Sequence, residues 1–313
     1  MPIVGSRKLS IGGGYSRHLP FSPNPYFSYN DTGIDTDEAL DNVETGIDCD
    51  ADATTAIPAG SIIKIDTEFM FVTATGTTLT VVRPSPVAHN TNADIYKKVN
   101  NCVLWLPGQD DPQSATIRDR SGLNNHGTIT GATWAKIGAG LWALNLDGID
   151  DGVEIVDAAS LDIVDAITIG GWAKPGLANT EQYWIAKGDR GVAMNYVVSI
   201  TATNYFAFEF YTTPTWYTDA DDTTPLSVGT WYNLMATYDK VNVKLYINGE
   251  LKKTIPRITV LTANALSLFI GREGSAAGTF FKGIQVLNII TNQAISGAVI
   301  ANKFNQERHL FGI

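Results

Sequence analysis

Beyond residue 100, turn signals recur about every ten residues, and apolar residues between them fall on alternate positions. Few folds accept that pattern. Tyr205–Tyr211 sets Phe206, Phe208 and Phe210 against Tyr205, Ala207 and Glu209. Trp142–Val156 alternates Trp142, Leu144 and Leu146 with Ala143 and Asn145, turns through Asp147-Gly148 and Asp150-Asp151-Gly152, and resumes at Val153 and Ile155. A period of two marks strands with one face buried. The spacing predicts strands over 101–107, 142–147, 153–156, 167–175, 183–187, 196–202, 205–211, 231–239, 243–247, 266–271 and 282–290. Asn248-Gly249 marks a tight hairpin. Only Ser296–Asn305 reads helical, with Ser296 as N-cap and Ile300 and Phe304 on one side. The expected class is all-β: an antiparallel β-sandwich, or jelly roll, over 98–313.

Two further regions precede it. Residues 1–45 hold Gly12-Gly13-Gly14, four prolines, and aromatics at Tyr15, Phe21, Tyr26, Phe27 and Tyr29. They read as an extended arm that docks its aromatics on a neighbouring surface, with a partly ordered terminus as the alternative. Asp31–Asp52 is acidic and reads as a solvated linker. Residues 46–97 read as a small β module, with strands at 63–65, 68–72 and 78–82 and a turn at Thr75-Gly76-Thr77.

Charge and cysteine content exclude several functions. The chain of 313 residues has a net charge of −10, which repels nucleic acid and anionic membrane surfaces. No apolar run is long enough for a transmembrane helix, and the N-terminus lacks a Sec-type signal. Cys49 and Cys102 are the only cysteines. They read as packed free thiols, with a single bridge as the alternative.

Gly60, Ile63, Ile65, Asp66, Glu68, Val72, Thr73, Gly76, Leu79, Val81, Arg83 and His89 form an ordered pattern. By that pattern the segment resembles a small β module of tailed-phage virion proteins, while Pro84 stands where that family often has glycine. The resemblance implies a structural assembly part. Asp66 and Glu68 are expected to pair with Lys64 or Arg83 on the surface.

A set of motifs runs in order through the rest of the chain: Asp119, Ser121, Gly122, Asn125 and Gly127; Ala143–Asp151; Thr168–Pro175; Lys187-Gly188-Asp189; the strand from Trp231; and Lys244–Leu251. With these, the region from Val103 onward resembles the laminin-G-like branch of the concanavalin A-like lectin/glucanase superfamily. Gln285 stands where that family usually has a carboxylate. The resemblance implies a structural Ca²⁺ held near Asp119, Asp147, Asp150 and Asp151. The alternative for the three carboxylates at 147–151 is a solvated turn.

For chemistry, the glucanase spacing of paired carboxylates is absent, and Glu209 has no acidic partner two residues on. No nucleophile elbow, phosphate loop or zinc helix occurs. His18, His89, His126 and His309 are scattered and read as surface or turn residues. Trp172 and Trp231, inside alternating strands, read as core or inter-sheet packing. The loop Thr213–Asp222 has the chemistry of a sugar site, with Trp216 and Tyr217 to stack and Asp219, Asp221 and Asp222 to hold hydroxyls; the alternative is a solvated β-sandwich loop.

The expected protein is therefore not an enzyme. It is a virion structural protein of a tailed phage, assembled in the host cytoplasm as a homo-oligomer among other virion proteins. It decorates the capsid or forms part of a tail fibre, and its lectin-like domain attaches to host glycans. The alternative is a carbohydrate-binding module of a cellular secreted or surface protein, and an unusual hydrolase comes third.

Overall fold

The computed structural model describes residues 27–108, 112–274 and 279–313. Its first sheet is built from β1 (Phe27–Asp35), β2 (Gly46–Asp48), β3 (Ile62–Ile65), β4 (Glu68–Ala74), β5 (Thr78–Val82) and β6 (Asp94–Asn100), in the order β1-β6-β3-β4-β5-β2. Alternation explains its sidedness. Ile63, Ile65, Met70, Val72, Leu79 and Val81 point to one face and form a core with Ile47, Ile57 and Ile95.

Asp31–Asp35 lies in β1, paired with β6, and Gly46–Asp48 pairs with β5, so the acidic stretch contributes two strands and is not a linker. The sheet reaches back to Phe27, inside the segment expected to be an arm. Tyr15, Phe21 and Tyr26 lie outside the described residues.

The remaining strands are β7 (Cys102–Leu106), β8 (Thr116–Ile117), β9 (Gly127–Thr130), β10 (Thr133–Lys136), β11 (Trp142–Asp147), β12 (Gly152–Ile155), β13 (Ile167–Pro175), β14 (Gln182–Asp189), β15 (Ala193–Ile200), β16 (Phe206–Thr212), β17 (Thr215–Ala220), β18 (Tyr232–Tyr238), β19 (Asn242–Ile247), β20 (Glu250–Pro256), β21 (Leu268–Ile270) and β22 (Lys282–Thr291). They form two antiparallel sheets. The second runs β10-β11-β22-β13-β18-β19-β20, with β7 also paired to β22. The third runs β17-β16-β15-β14-β21-β12-β9-β8.

Between these two sheets lies one core. Phe206, Phe208 and Phe210 of β16, Tyr196 and Val198 of β15, and Ile185 of β14 meet Leu234, Ala236 and Tyr238 of β18 and Leu245 of β19. Each large apolar side chain so buried contributes about 1.5–3 kcal/mol. The sandwich is the all-β jelly roll that the alternation predicts. At the Asn248-Gly249 hairpin both residues have positive φ, 54° and 77°, as a two-residue turn requires.

The helix α1 (Gly297–Glu307) starts at Ser296, whose hydroxyl accepts the Val299 N–H at 3.4 Å. It covers the outer face of the second sheet. Trp172 is fully buried there, stacked on Phe304 and Phe311, and its indole N–H donates to Glu307. Trp172 is thus a packing residue, as expected, but against the helix and not between the sheets. Trp231 packs on Phe311 beside it.

Close approach of β13 to β18 needs glycine at 170. A Cβ there would sit 2.0 Å from the Leu234 carbonyl oxygen, and φ is 151°. Gly170→Ala is expected to cost about 3 kcal/mol, seen as a lower urea midpoint in circular dichroism. A midpoint within error of the parent would mean that the two strands can separate freely.

Candidate functional site

Thr215–Ala220 is a strand, not a loop, and that decides where the sugar-type residues go. It is the edge strand β17, paired with β16 so that Glu209 lies opposite Thr218 and Tyr211 opposite Trp216. Successive side chains on a strand point to opposite faces. Trp216 therefore faces outward from the sandwich, and Tyr217 faces inward. Tyr217 stacks on Phe210 at 4.8 Å and carries the Arg257 guanidinium at 4.7 Å.

The three aspartates also separate. Asp219 is buried in a bidentate pair with Arg257, with Nε to Oδ2 at 3.0 Å. Asp221 is buried and accepts the N–H and hydroxyl of Thr223 within its own turn. Asp222 is exposed and paired with Lys253 at 2.6 Å. Of the five residues, Trp216 lies on the outer face of β17 and Asp222 is exposed beyond the end of that strand, so the structure does not bring the five together.

What Trp216 does join was not visible in the pattern. It lines a cavity of about 280 Å³ with Asp189, Arg190, Val192, Met194, Tyr211 and Pro214. This lies just below the range of roughly 300–1,000 Å³ usual for small-molecule sites. The cavity opens between the β14–β15 turn and the β16–β17 turn. Tyr211 and Trp216 are tilted rings 6.2 Å apart, and the Arg190 guanidinium stands 5.3 Å from the Trp216 ring. Arg190 is held by Glu181 at 2.7 Å, and its backbone N–H donates to Glu273 at 2.7 Å.

The floor beside this cavity is fixed by Glu209, 1% exposed. Its carboxylate accepts the Trp216 indole N–H at 2.9 Å and the hydroxyls of Thr218 and Ser199. Burial pushes the Glu209 carboxyl above the ordinary carboxylate range, these three donors pull it down, and the Glu181 charge raises it. With its oxygens so used, Glu209 orients the indole. A glycosidase needs a second carboxylate across the scissile bond, and none of the residues lining the cavity with Asp189 supplies such a pair.

The acidic turn is the second candidate. Asp147, Asp150 and Asp151 bring one carboxylate oxygen each within 4.8 Å of one another. Asp151 Oδ2 accepts the Asp147 N–H and Asp147 Oδ1 the Ile149 N–H, both at 2.8 Å. Burial and then the charges of Asp147 and Asp150 raise the Asp151 carboxyl, against the Asp147 N–H that lowers it. Gly131 allows this packing, since a Cβ there would meet Asp151 Oδ1 at 2.1 Å. Asp119 is not part of the group. It is buried, and accepts from the N–H groups of Trp105, Ser121 and Asn125 and from the Ser121 hydroxyl, tying β7 to the turn that follows.

In the first sheet, Glu68 and Arg83 do pair, at 2.8 Å, but they are buried and not on the surface. Asp66 sits in the β3–β4 turn with φ 48°. His89, expected at the surface, is buried between them, with Nδ1 2.8 Å from Asp66 and Nε2 2.9 Å from Glu68. Burial opposes ionisation of Glu68, but hydrogen bonds from Arg83, His89 and the Val87 N–H outweigh it and hold the carboxyl at about 2. Cys49 and Cys102 are both buried, and no disulfide joins them. No described helix is long and apolar enough to cross a membrane.

Residues 147–300 match the family model of the concanavalin A-like lectin/glucanases superfamily, in its laminin G branch. Residues 147–300 are a concanavalin A-like lectin/glucanase domain. No curated protein matches the chain.

Solved structures agree on the fold of this lectin-like domain. The binding domain of Paraclostridial Mosquitocidal Protein 1 superposes with a TM-score of 0.53 at 18% identity, over 66% of this chain and 52% of that one. Domain 4 of AbnA, an extracellular arabinanase from Geobacillus stearothermophilus solved with arabinotriose, gives 0.52 at 20% identity, over 64% and 97%. The ligand-binding domain of botulinum neurotoxin serotype D, solved with N-acetylneuraminic acid, gives 0.51 at 14% identity, over 66% and 50%. The chain spans about half the length of the toxin domains it matches. At these identities the likeness establishes the sandwich of the lectin-like domain and nothing finer.

Proposed function

We propose that this chain is a non-enzymatic glycan-recognising protein whose lectin-like domain holds a sugar ring in the cavity beside Trp216. The observation that carries the reading is that cavity itself: an indole fixed by Glu209, a facing Tyr211, and the Arg190 guanidinium as donor. An apolar ring face stacks on the aromatics while the polar groups fix hydroxyls. The arabinanase domain and the neurotoxin domain, each solved with a sugar, support the class of ligand. A glycan array with the purified chain tests it. The expected result is a cluster of related glycans above background; a blank array removes the reading.

Residues 27–100, in this proposal, attach the protein to a tailed-phage particle as one of several copies among other virion proteins. The resemblance of Gly60–His89 supports this, with Arg83, His89 and Glu68 forming one buried network. Immunogold labelling of purified particles distinguishes it from the secreted carbohydrate-binding module, a reading favoured by the near-complete span of the arabinanase domain. Label on particles is expected; label confined to culture supernatant would support the module.

We also propose that the Asp147–Asp151 turn takes a Ca²⁺ ion. Three hard carboxylates within 4.8 Å, one of them buried, fit that cation in donor type. Free Ca²⁺ at one hundred times its Kd is expected to stabilise the domain by about 2.7 kcal/mol. Melting with excess Ca²⁺ and with chelator checks this, and identical midpoints would leave the turn merely solvated.

A further inference from the structure

The first sheet has two faces, and only one of them is accounted for. The inner face forms the Ile47–Ile63–Val81 core. The outer face presents Ile62 at 37%, Phe69 at 50%, Phe71 at 45% and Val82 at 53% exposure. Register sets them side by side: Ile62 lies opposite Phe71, and Phe71 opposite Val82. Scattered exposed apolar residues are ordinary, but a contiguous strip across three central strands marks a contact surface.

Carboxylates stand on both sides of the strip. On the β2 side Asp48 shares the face with Thr78, whose hydroxyl it accepts at 2.6 Å. On the other side are Asp31, opposite Tyr96, and Asp94, which accepts the Tyr96 hydroxyl at 3.0 Å. Lys64 and Lys98 lie on the same face by register. Residues 27–100 as a whole carry twelve Asp and Glu against four Lys and Arg.

One segment of this chain has the complementary chemistry. Residues 1–26, outside the described residues, contain no Asp or Glu, three cations at Arg7, Lys8 and Arg17, and apolar side chains at Ile3, Val4, Leu9, Ile11, Tyr15, Leu19 and Phe21. We propose that residues 1–26 dock across the outer face of the first sheet of their own chain, laying apolar side chains on Ile62, Phe69, Phe71 and Val82 and cations against Asp31, Asp48 and Asp94.

Continuity argues for this occupant. Tyr29, just downstream in β1, already reaches across the face and packs on Phe69 at 5.3 Å between ring centroids. β1 runs parallel to β3 through their shared neighbour β6, with Asn30 and Ile63 both opposite Lys97. The chain therefore enters the sheet at the Ile62 end. β4 lies three strands away, about 14 Å at 4.8 Å per strand. Twenty-six extended residues can span up to about 85 Å, so reach is not limiting. Tethering gives an effective concentration near the millimolar range, which favours the chain's own face over that of a neighbour.

The test uses the full chain, mixed as equal amounts of ¹⁴N- and ¹⁵N-labelled protein and treated with a carbodiimide. Mass spectrometry should find Lys8 joined to Asp31, Asp48 or Asp94 in unmixed isotope pairs. In parallel, trypsin cleavage after Arg17 should be at least tenfold faster in Phe71→Ser and in Phe69→Ser than in the parent. Both substitutions are at exposed positions, and circular dichroism verifies that the fold persists. Mixed isotope pairs would overturn the proposal in favour of exchange between copies. Absent cross-links, or cleavage equally fast in parent and variants, would overturn it outright.

Discussion

Arg83→Ala is expected to destabilise the first sheet by about 3–5 kcal/mol, because it leaves Glu68 buried without its counter-charge. Arg83 donates to both Glu68 oxygens, at 3.0 and 2.8 Å, and also to the carbonyls of Asp41, Glu44 and Val87. It thereby closes three chain segments on one carboxylate. Hydrogen exchange of residues 62–82 measures the loss locally, and exchange unchanged from the parent would mean that the pair is dispensable. The pH dependence has a definite sign. Glu68 titrates near 2 in the folded chain against 4.5 for a free carboxyl, so the folded state holds its proton more weakly. That stabilisation is complete above about pH 4.5 and disappears as pH falls toward 2. In Arg83→Ala this acid limb should flatten.

Trp216→Ala is expected to weaken glycan binding by about 2 kcal/mol, roughly thirtyfold in Kd, as removal of a central aromatic platform does. Trp216→Phe separates the two roles of the indole. It retains a ring face and loses the N–H bond to Glu209, so affinity should fall by less than in the alanine variant. Titration calorimetry with the best glycan from the array measures both. Equal affinity in the parent and Trp216→Ala would place the sugar elsewhere on the molecule.

How much of this was legible beforehand depends on how local the signal is. Alternation in Phe206–Phe210 and the Asn248-Gly249 pair are local, and they located strands and a hairpin correctly. The helix was legible for the same reason, through Ser296 and the Ile300–Phe304 spacing. The site was not, because its partners come from separate turns. Arg190 belongs to the β14–β15 turn and Trp216 to β17, and no spacing links them. Misreading Thr215–Ala220 as a loop also hid the alternation that sends Tyr217 and Asp219 inward. His89 was misjudged because its carboxylate partners, Asp66 and Glu68, are more than twenty residues away. β1 carries no clear alternation because Asp31 and Asp35 interrupt it, and its partners in β6 lie 59 to 73 residues downstream.

The most direct test of a sugar site at Trp216 is the indole N–H region of a ¹⁵N-labelled spectrum. Arabinotriose, N-acetylneuraminic acid and any glycan positive on the array are titrated in turn. The Trp216 resonance should move in a saturable way with at least one of them, while those of the buried Trp172 and Trp184 stay in place. A glycan that binds saturably without moving Trp216 would contradict the account.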